Sequence, residues 1–325
     1  MARRFLVTGG AGFIGSSLVR SLASRGDRVR VVDNFSSGRR ENLADVAGVE
    51  LIEGDILDEG LMARAADGVS VIFHEAAIPS VPRSIAEPLP TNEVNVTGTL
   101  VLLLAARRAG VRRVVYAASS SAYGDTPALA KVETMAPAPL SPYAASKLAG
   151  EYYCRVFGAV HGLETVCLRY FNVFGPRQDP ESQYAAVIPR FLTAALRDEP
   201  ARVFGDGGQS RDFCYIDNVV SANLLAADAP DASGKVLNIA CGEAASLNDV
   251  LALLERLLGR AVARTYEAGR PGDVRHSLAD ISLARSVLGY EPSVDFARGL
   301  GRTLDWFRSS SAPRALAAPT SRGSS

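Results

Sequence analysis

The sequence has no net charge, few cysteines and no long apolar run, and each absence excludes a class of protein. Thirty-five basic residues balance 35 acidic residues in a chain of 325, so the basic surplus of a nucleic-acid-binding protein is missing. There is no apolar run of about 18 residues, so no membrane-spanning helix is predicted. The four cysteines lack metal-ligand spacing, and we expect reduced, mostly buried thiols and no metal site. The first residues show no cleavable signal pattern, which favours a cytoplasmic protein.

Strand-like and helix-like segments alternate through the first half of the chain. The short β-branched runs that predict strands are Phe5–Thr8, Arg28–Val32, Val49–Gly54, Ser70–Glu75, Arg113–Ala118 and Thr165–Arg169. The segments that predict helices between them are Phe13–Ser24, Asn95–Ala109 and Tyr143–Val160. This alternation predicts an α/β fold with a doubly wound parallel sheet of Rossmann type.

A glycine-rich loop joins the first predicted strand to the first predicted helix. Its glycines are Gly9, Gly12 and Gly15. Glycines at this spacing let the backbone turn tightly and bring a pyrophosphate to the free N–H groups of a helix N-terminus. Asp33 follows the second strand, where a carboxylate hydrogen-bonds an adenosine ribose and repels a 2′-phosphate. The loop and Asp33 together predict a site for NAD rather than NADP.

A tyrosine and a lysine one helical turn apart, Tyr143 and Lys147, predict an acid–base pair. A tyrosine has a reference pKa of about 10, and the charge of Lys147 favours the phenolate. The preceding strand runs into three serines, Ser119–Ser121, whose hydroxyl groups point into the ligand crevice if the strand is parallel. A hydroxyl there can carry a proton between a substrate and the phenol. Two histidines, His74 and His161, are interpreted as hydrogen-bonded core residues.

Read in order, these segments resemble the extended short-chain dehydrogenase/reductase superfamily and, within it, the UDP-sugar 4-epimerases. The resemblance covers nearly all of residues 3–308. The segments that carry it are Thr8–Gly15, Asp33–Gly38, Gly54–Ile56, Ser119–Gly124, Tyr143–Lys147, Arg169–Val173, Ser210–Phe213 and Arg270–Arg275. Within the family the likeness is closest to the bacterial UDP-N-acetylglucosamine 4-epimerases, through Ala76–Ser84, Arg177–Pro180 and Gly272–Ser277.

The resemblance implies a reaction and a set of contacts. Tyr143 would take the proton of the sugar 4-hydroxyl with Ser119 bridging, while NAD takes the C4 hydride and returns it to the opposite face. The residues implied for NAD are Gly9, Gly12, Phe13, Ile14, Gly15, Asp33, Asn34, Ser37, Gly38, Asp55, Ile56, Ala76, Ala77, Asn95, Tyr143, Lys147 and Phe171. Those implied for the UDP-sugar are Ser80, Ser119, Ser120, Ser121, Tyr143, Asn172, Gln178, Ala186, Val187, Arg211, Arg270, Asp273 and Ser277.

Several of these implied roles are specific. Asn172, Arg211 and Arg270 resemble contacts to the diphosphate, and arginine suits this role because its planar fork meets phosphate oxygens in pairs. Asp273 resembles the contact to the uridine ribose, and Ser277 resembles the residue that walls the sugar pocket. The family also forms homodimers through two helices, here near Asn92–Ala109 and Ser141–Val160.

The chain divides at the point where its pattern changes. We predict residues 1–174 as the NAD-binding domain, with residues 211–240 returning to it. Residues 175–308 form mainly a smaller α/β lobe that binds the UDP-sugar, and residues 309–325 form a disordered tail rich in Ser, Ala, Pro and Arg. The periodic segments beyond residue 174 are Val236–Ile239, Leu247–Leu258 and Val262–Tyr266.

Some alternatives stay open. The serine run is two residues shorter than the form found in many galactose-pathway epimerases, so counting back from Gly124 selects Ser119 whereas counting forward selects Ser121. The sugar can be an N-acetylhexosamine, glucose or a uronic acid. A sugar-nucleotide dehydratase is disfavoured because Ser120-Ser121 stand where that family has an acidic pair. A protein that only binds NAD is the remaining possibility, since fold does not imply function.

Overall fold

The computed structural model describes residues 3–126, 128, 130–179, 186–269 and 274–311. Its strands are β1 (Arg4–Thr8), β2 (Arg28–Asp33), β3 (Val49–Glu53), β4 (Val71–His74), β5 (Arg113–Ser119), β6 (Ala130–Lys131), β7 (Glu164–Tyr170), β8 (Val173–Phe174), β9 (Ala201–Phe204), β10 (Ser210–Arg211), β11 (Cys214–Tyr215), β12 (Val236–Ile239), β13 (Ala245–Ser246), β14 (Arg264–Glu267) and β15 (His276–Ala279).

The helices are α1 (Phe13–Ser24), α2 (Glu59–Ala66), α3 (Val81–Ala86), α4 (Pro88–Asn92), α5 (Gly98–Arg108), α6 (Pro142–His161), α7 (Val187–Leu196), α8 (Ile216–Asp228), α9 (Leu247–Leu258), α10 (Ser282–Leu288) and α11 (Phe296–Ser311). Short 3₁₀ turns lie at Arg40–Asn42, Ser120–Tyr123 and Pro230–Ala232, and a π-helical turn at Glu93–Thr97 links α4 to α5. No helix in the described part of the chain combines the length and the apolar character needed to cross a membrane.

Seven parallel strands form the central sheet in the order β12-β7-β5-β4-β1-β2-β3. Successive residues of β1 point to opposite faces, so Phe5 and Val7 join one apolar cluster and Leu6 joins the other. Helices α1 and α8 cover the first face, and α2, α5 and α6 cover the second. Because both faces are buried, the inner strands are largely continuous apolar runs in the sequence, whereas the edge strand β3 is partly exposed. The predicted doubly wound sheet is confirmed.

The smaller lobe is built from short strands. One sheet has the order β13-β10-β15-β6, and two further pairs are β11 with β8 and β14 with β9. Strand β12, by contrast, joins the central sheet beside β7. Most strands of the lobe have only two residues, too few to show a periodicity of two, and the sequence analysis therefore did not find them.

Helix α6 carries the predicted acid–base pair, and its local sequence explains where it begins and ends. The Ser141 side chain caps the helix by accepting a hydrogen bond from the N–H of Ala144, and Pro142 occupies the first turn. Gly162 closes the helix in the left-handed conformation with φ of 69°. The observed bounds extend the predicted ones by one residue at each end.

Three details differ from the sequence predictions. The helix predicted over Asn95–Ala109 is part of a longer helical segment that begins at Pro88 and contains the π-helical turn. Helix α11 continues to Ser311, so the disordered tail predicted from residue 309 begins inside a helix, and its remainder lies outside the described residues. His161 is exposed at the end of α6, with its ring edge against Phe157, so the prediction of a core histidine there is wrong.

Candidate active site

A large cavity runs along the carboxyl ends of the central strands and continues between them and the smaller lobe. Its volume is about 1380 Å³, more than the ~300–1,000 Å³ of a pocket for one small ligand. Residues that follow β1, β2, β3, β4 and β5 line one half, which we call the dinucleotide half. Residues from β10 and β15, with the chain around residues 172–178, line the other, the sugar half. Ligands of open parallel sheets bind at this edge.

The glycine loop after β1 leaves no room for side chains. Gly9 has φ of 68°, and a Cβ atom there would lie 2.7 Å from the backbone nitrogen of Ala76. A Cβ atom on Gly15 would lie 2.1 Å from the carbonyl oxygen of Gly9. The loop therefore turns on itself at the N-terminus of α1, where free N–H groups favour a phosphate. These residues fit the dinucleotide that the sequence predicts.

Asp33 ends β2 with a buried carboxylate that is held by the backbone. One oxygen accepts a 2.8 Å hydrogen bond from the N–H of Ala11, and the other accepts one of 2.8 Å from the N–H of Phe35. Each carboxylate oxygen keeps a second lone pair for a ribose hydroxyl. Asn34 donates to Asp55 across the neighbouring strand end at 2.8 Å, which fixes the wall beside the expected adenine.

Tyr143 and Ser119 meet in the middle of the cavity. Burial raises the pKa of the Tyr143 phenol above its usual value, and the hydrogen-bonding contact with Ser119 offsets part of this rise. Ser121 donates to the Ser119 hydroxyl oxygen at 2.8 Å, so the hydroxyl hydrogen of Ser119 remains available for the phenol. This order of donors favours Ser119 over Ser121 as the hydroxyl next to the base.

Lys147 lies deeper than Tyr143, one turn further along α6. Its Nζ donates to the carbonyl oxygen of Ala117 at 2.8 Å and lies 5.1 Å from the ring centroid of Tyr116. Burial lowers the pKa of Lys147 to about 8. In the protein alone the charge of Lys147 does not bring the pKa of the phenol below its usual value, since burial raises the pKa of Tyr143. A cationic nicotinamide bound in the cavity would supply the missing positive charge.

Four charged residues in the described part of the cavity wall were not predicted as site residues: Glu75, Arg83, Lys131 and Asp179. Glu75 directly follows β4 and lies beside Lys147, and burial raises the pKa of its carboxyl group to about 7. Its only signal in the sequence was its place at the end of a predicted strand. Acidic residues are rarely buried without a partner, and its partners could not be identified before the fold was known.

The sugar half presents four of the predicted substrate residues. Asn172 lies in the cavity wall with φ of 32°, and its side-chain amide donates to the carbonyl oxygen of Asp212 at 3.1 Å. Gln178 donates to the carbonyl oxygen of Val173 at 3.2 Å. Arg211 and Ser277 are neighbours in the parallel pairing of β10 with β15. Arg270 and Asp273 lie outside the described residues.

Most of the predicted site residues line this one cavity. They are Gly9, Gly12, Phe13, Ile14, Gly15, Asp33, Asn34, Ser37, Gly38, Asp55, Ile56, Ala76, Ala77, Ser119, Ser120, Ser121, Tyr143, Lys147, Asn172, Gln178, Ala186, Arg211 and Ser277. Four other predicted residues in the described part of the chain are not among those that line the cavity. Phe171 is fully buried, Val187 begins α7, Ser80 caps α3, and Asn95 bonds the backbone of Ile78 and the hydroxyl of Ser146.

Two further expectations can be compared with the structure. His74 is fully buried, with one ring nitrogen 2.8 Å from the Thr8 hydroxyl and the other 3.0 Å from the Thr99 hydroxyl. It is therefore the hydrogen-bonded core residue that was predicted. The four cysteines are free, and all but Cys241 are buried. Among the described residues, no three His, Cys, Asp or Glu side chains are grouped to hold a metal ion.

The parallel sheet, the glycine loop and the Ser–Tyr–Lys cluster define a dinucleotide-dependent enzyme of the Rossmann type. The sequence signature described as "NAD dependent epimerase/dehydratase family" matches residues 5–240. The chain belongs to this family, and the resemblance inferred from its motifs is confirmed.

Three relatives illustrate the range of the family. A UDP-glucose 4-epimerase of Mycolicibacterium smegmatis is 40% identical over 313 residues, which cover 95% of this chain and 99% of the relative. A Methanobrevibacter ruminantium UDP-N-acetylglucosamine 4-epimerase in complex with UDP-N-acetylmuramic acid superposes with a TM-score of 0.91 at 39% identity, covering 95% and 99% of the chains. A Bacillus cereus UDP-glucuronic acid 4-epimerase in complex with UDP-glucuronic acid and NAD superposes with a TM-score of 0.88 at 33% identity. The match covers 94% of this chain and 99% of that one.

Proposed function

We propose that the protein interconverts UDP-N-acetylglucosamine and UDP-N-acetylgalactosamine, with UDP-glucose and UDP-galactose as further substrates. The broader activity is established: the chain is an NAD-dependent UDP-sugar 4-epimerase. The observation that carries the finer proposal is Ser277, a small side chain in the wall of the sugar half, opposite Arg211 on the neighbouring strand. A small residue at this position leaves room for a 2-acetamido group as the sugar turns.

The acid–base chemistry follows from the residues in the middle of the cavity. Tyr143 takes the proton of the sugar 4-hydroxyl and later returns one to the 4-oxygen. Ser119 bridges the two groups, with its own oxygen held by the donor hydroxyl of Ser121. Lys147 places a positive charge one turn below the phenol. NAD, when bound, would supply the acceptor for the C4 hydride and the donor for its return, so the overall reaction would be redox-neutral.

The smaller lobe, mainly residues 175–308, is proposed to hold the UDP part of the substrate. Arg211 supplies a guanidinium group at the cavity wall, suited to paired hydrogen bonds with a diphosphate. Gln178 keeps a buried side-chain oxygen that has no hydrogen-bond partner within the described residues. Such an atom is costly unless a ligand satisfies it, so a hydroxyl or amide of the sugar is its expected partner. Arg270 and Asp273 complete this set of contacts in the proposal.

We also propose that the protein is a homodimer. Tyr152, Val156 and Val160 follow each other at intervals of four residues on α6, and all three are exposed large apolar side chains. An apolar stripe of this kind on a helix marks a protein–protein contact. The four free thiols fit the reducing cytoplasm as the place of action. A Val156→Asp variant, with Arg155→Asp as the exposed control, should sediment as a monomer while the control stays dimeric.

The test of the function is a comparison of substrates with purified protein. We expect interconversion of the two N-acetylhexosamine forms at a rate at least equal to that of the glucose and galactose forms. The uronic acid forms should react more slowly, since the proposal assigns no cation to their carboxylate. Faster turnover of UDP-glucuronic acid than of UDP-N-acetylglucosamine would contradict the proposed sugar, and no turnover of any UDP-sugar would contradict the activity.

A further inference from the structure

A chain of hydrogen bonds ends beside the acid–base centre and is not used by the reaction described above. Asn223 of α8 donates to the Tyr170 hydroxyl oxygen at 2.8 Å, and Tyr170 donates to a carboxylate oxygen of Glu75 at 2.8 Å. Asn223 is fully buried and Tyr170 is 8% exposed. These hydrogen bonds, from side chains of β7 and α8, therefore fix the carboxyl group of Glu75. Glu75 itself lines the cavity.

The surroundings of Lys147 identify the role of this carboxyl group. His74 pairs with Tyr116 in the register of β4 with β5, so Glu75 comes next to Ala117, whose carbonyl oxygen accepts the hydrogen bond of Lys147. Glu75, Glu151 and Cys154 favour the charged form of Lys147, and burial opposes it. Within the described residues, the buried His74 imidazole, the Tyr116 ring and the phenol of Tyr143 also lie near it.

Of the two carboxylates, Glu151 is already engaged in an ion pair. Arg169 binds it with two hydrogen bonds of 2.9 and 2.7 Å, and both side chains are buried. Glu75 pairs instead with the neutral hydroxyl of Tyr170. Within the described residues, Glu75 is therefore the carboxylate that is free of an arginine and acts on Lys147.

We propose that Glu75 is a positioning residue for this enzyme, held by Tyr170 and Asn223 as the counter-charge that keeps Lys147 protonated beneath Tyr143. The inference rests on the proposed role of Lys147 in the epimerase reaction. A buried ammonium group is costly without a partner of opposite charge, and the carbonyl oxygen of Ala117 supplies a hydrogen bond but no charge. A Lys147 that lost its proton would no longer favour the phenolate.

The protonation of Lys147 can be observed directly, because the sequence contains only three lysines, Lys131, Lys147 and Lys235. In NAD-loaded protein labelled with ¹³C at lysine Cε, the spectrum has three side-chain signals, and Lys147→Arg identifies the signal of interest. We expect the titration midpoint of Lys147 to fall by about one pH unit in Glu75→Gln, the lower end of the effect of a nearby opposite charge. The two other lysines should titrate as in the wild type.

A matched control separates this effect from the loss of any buried carboxyl group. Glu133 is also partly buried, and its carboxylate accepts a 2.8 Å hydrogen bond from the N–H of Asn238. It does not belong to the groups that act on Lys147 in the described part of the chain. Glu133→Gln keeps that acceptor and should leave the Lys147 midpoint in place. An unchanged midpoint in Glu75→Gln, or an equal fall in both variants, would overturn the proposal.

Tyr170→Phe provides a second variant and a kinetic readout. Without the hydroxyl donor the Glu75 carboxyl group is less readily ionised, so the alkaline limb of the kcat/KM profile should move to lower pH, as in Glu75→Gln. The double variant should move it no further than Glu75→Gln alone, because the Tyr170 hydroxyl acts only through the Glu75 carboxylate. Additive shifts of the alkaline limb would contradict the proposal that Tyr170 acts through Glu75. If the wild type is inactive on all UDP-sugars, the proposed reaction is refuted and the NMR titration remains the test of Glu75. If the wild type is active but the alkaline limb does not move in the variants, only the proposed role of Glu75 is refuted.

Discussion

The two halves of the cavity are built in different ways. In the dinucleotide half, each group of site residues directly follows a long strand of one parallel sheet. The glycine loop is packed so closely that a Cβ atom added at Gly9 or Gly15 would lie less than 3 Å from other backbone atoms. In the sugar half, Arg211 and Ser277 belong to short strands of separate chain regions that are brought together by the pairing of β10 with β15. The geometry of the dinucleotide half is therefore determined by local sequence and tolerates little substitution. In the sugar half the side chains can be exchanged, and the sugar that is accepted can change with them.

The largest expected effect lies where the two halves meet. Tyr143→Phe removes the proton acceptor and keeps the ring, so fold and NAD content should be preserved while turnover falls by about 10²–10⁴-fold. Ser119→Ala should lose less, because water can partly replace a bridging hydroxyl. Steady-state kinetics on UDP-N-acetylglucosamine measures both. A Tyr143→Phe enzyme with near-normal turnover would remove the phenol from the mechanism.

The dinucleotide half should be intolerant of a single methyl group. In Gly15→Ala the new Cβ atom would lie 2.1 Å from the Gly9 carbonyl oxygen, so the phosphate loop must move. We expect NAD affinity to fall by at least about 100-fold, from an overpacking cost of ~3 kcal/mol. Gly301→Ala in α11, where the nearest atom would be 3.9 Å away, is the control. Equal NAD affinity in the two variants would argue against the tight-loop account.

The sugar half should change its preference rather than its chemistry. Ser277→Tyr fills the space proposed for the acetamido group and should lower activity on the N-acetylated sugars 10- to 100-fold relative to UDP-glucose and UDP-galactose, for ~1–3 kcal/mol of overpacking. Ala245→Tyr, paired with Arg211 on the other side of β10, is a control for bulk in the same sheet. An unchanged ratio of the two activities would show that specificity is determined elsewhere.

The smallest effect at neutral pH is expected for the substitution of His74, and it concerns stability. Burial lowers the pKa of the His74 imidazole to about 3. Between this value and the ~6.5 of an unfolded chain, the unfolded state binds the extra proton. Stability is therefore lost as pH falls from about 6.5, by ~3 kcal/mol at pH 4. In urea titrations His74→Gln should weaken this acid dependence, whereas His161→Gln, on the surface, should not. If the unfolding free energies of the wild type, His74→Gln and His161→Gln depend on pH in the same way, His74 is not the source of the acid dependence.

The same contrast explains what could be predicted from the sequence. Long strands buried on both faces leave continuous apolar runs, so the central sheet, α1 and α6 were predicted almost to the residue. The neighbours of Glu75 lie on β7, α6 and α8, and no spacing along the chain reports such contacts. Arg211 and Ser277 were found only through resemblance, since strands of two and four residues are too short to show a period. Asn95 was assigned to the cofactor, yet it holds the chain around Ile78 against α6.

The central claim is that the C4 hydrogen leaves as a hydride, is held within the enzyme and returns to the same carbon. A UDP-sugar with deuterium at C4, incubated with the enzyme in ordinary water until the two epimers equilibrate, tests it directly. The account predicts that both epimers keep their deuterium, because the phenol of Tyr143 exchanges only the hydroxyl proton. Loss of the label to water at the rate of epimerisation would show that C4 is deprotonated rather than oxidised, and would contradict the account.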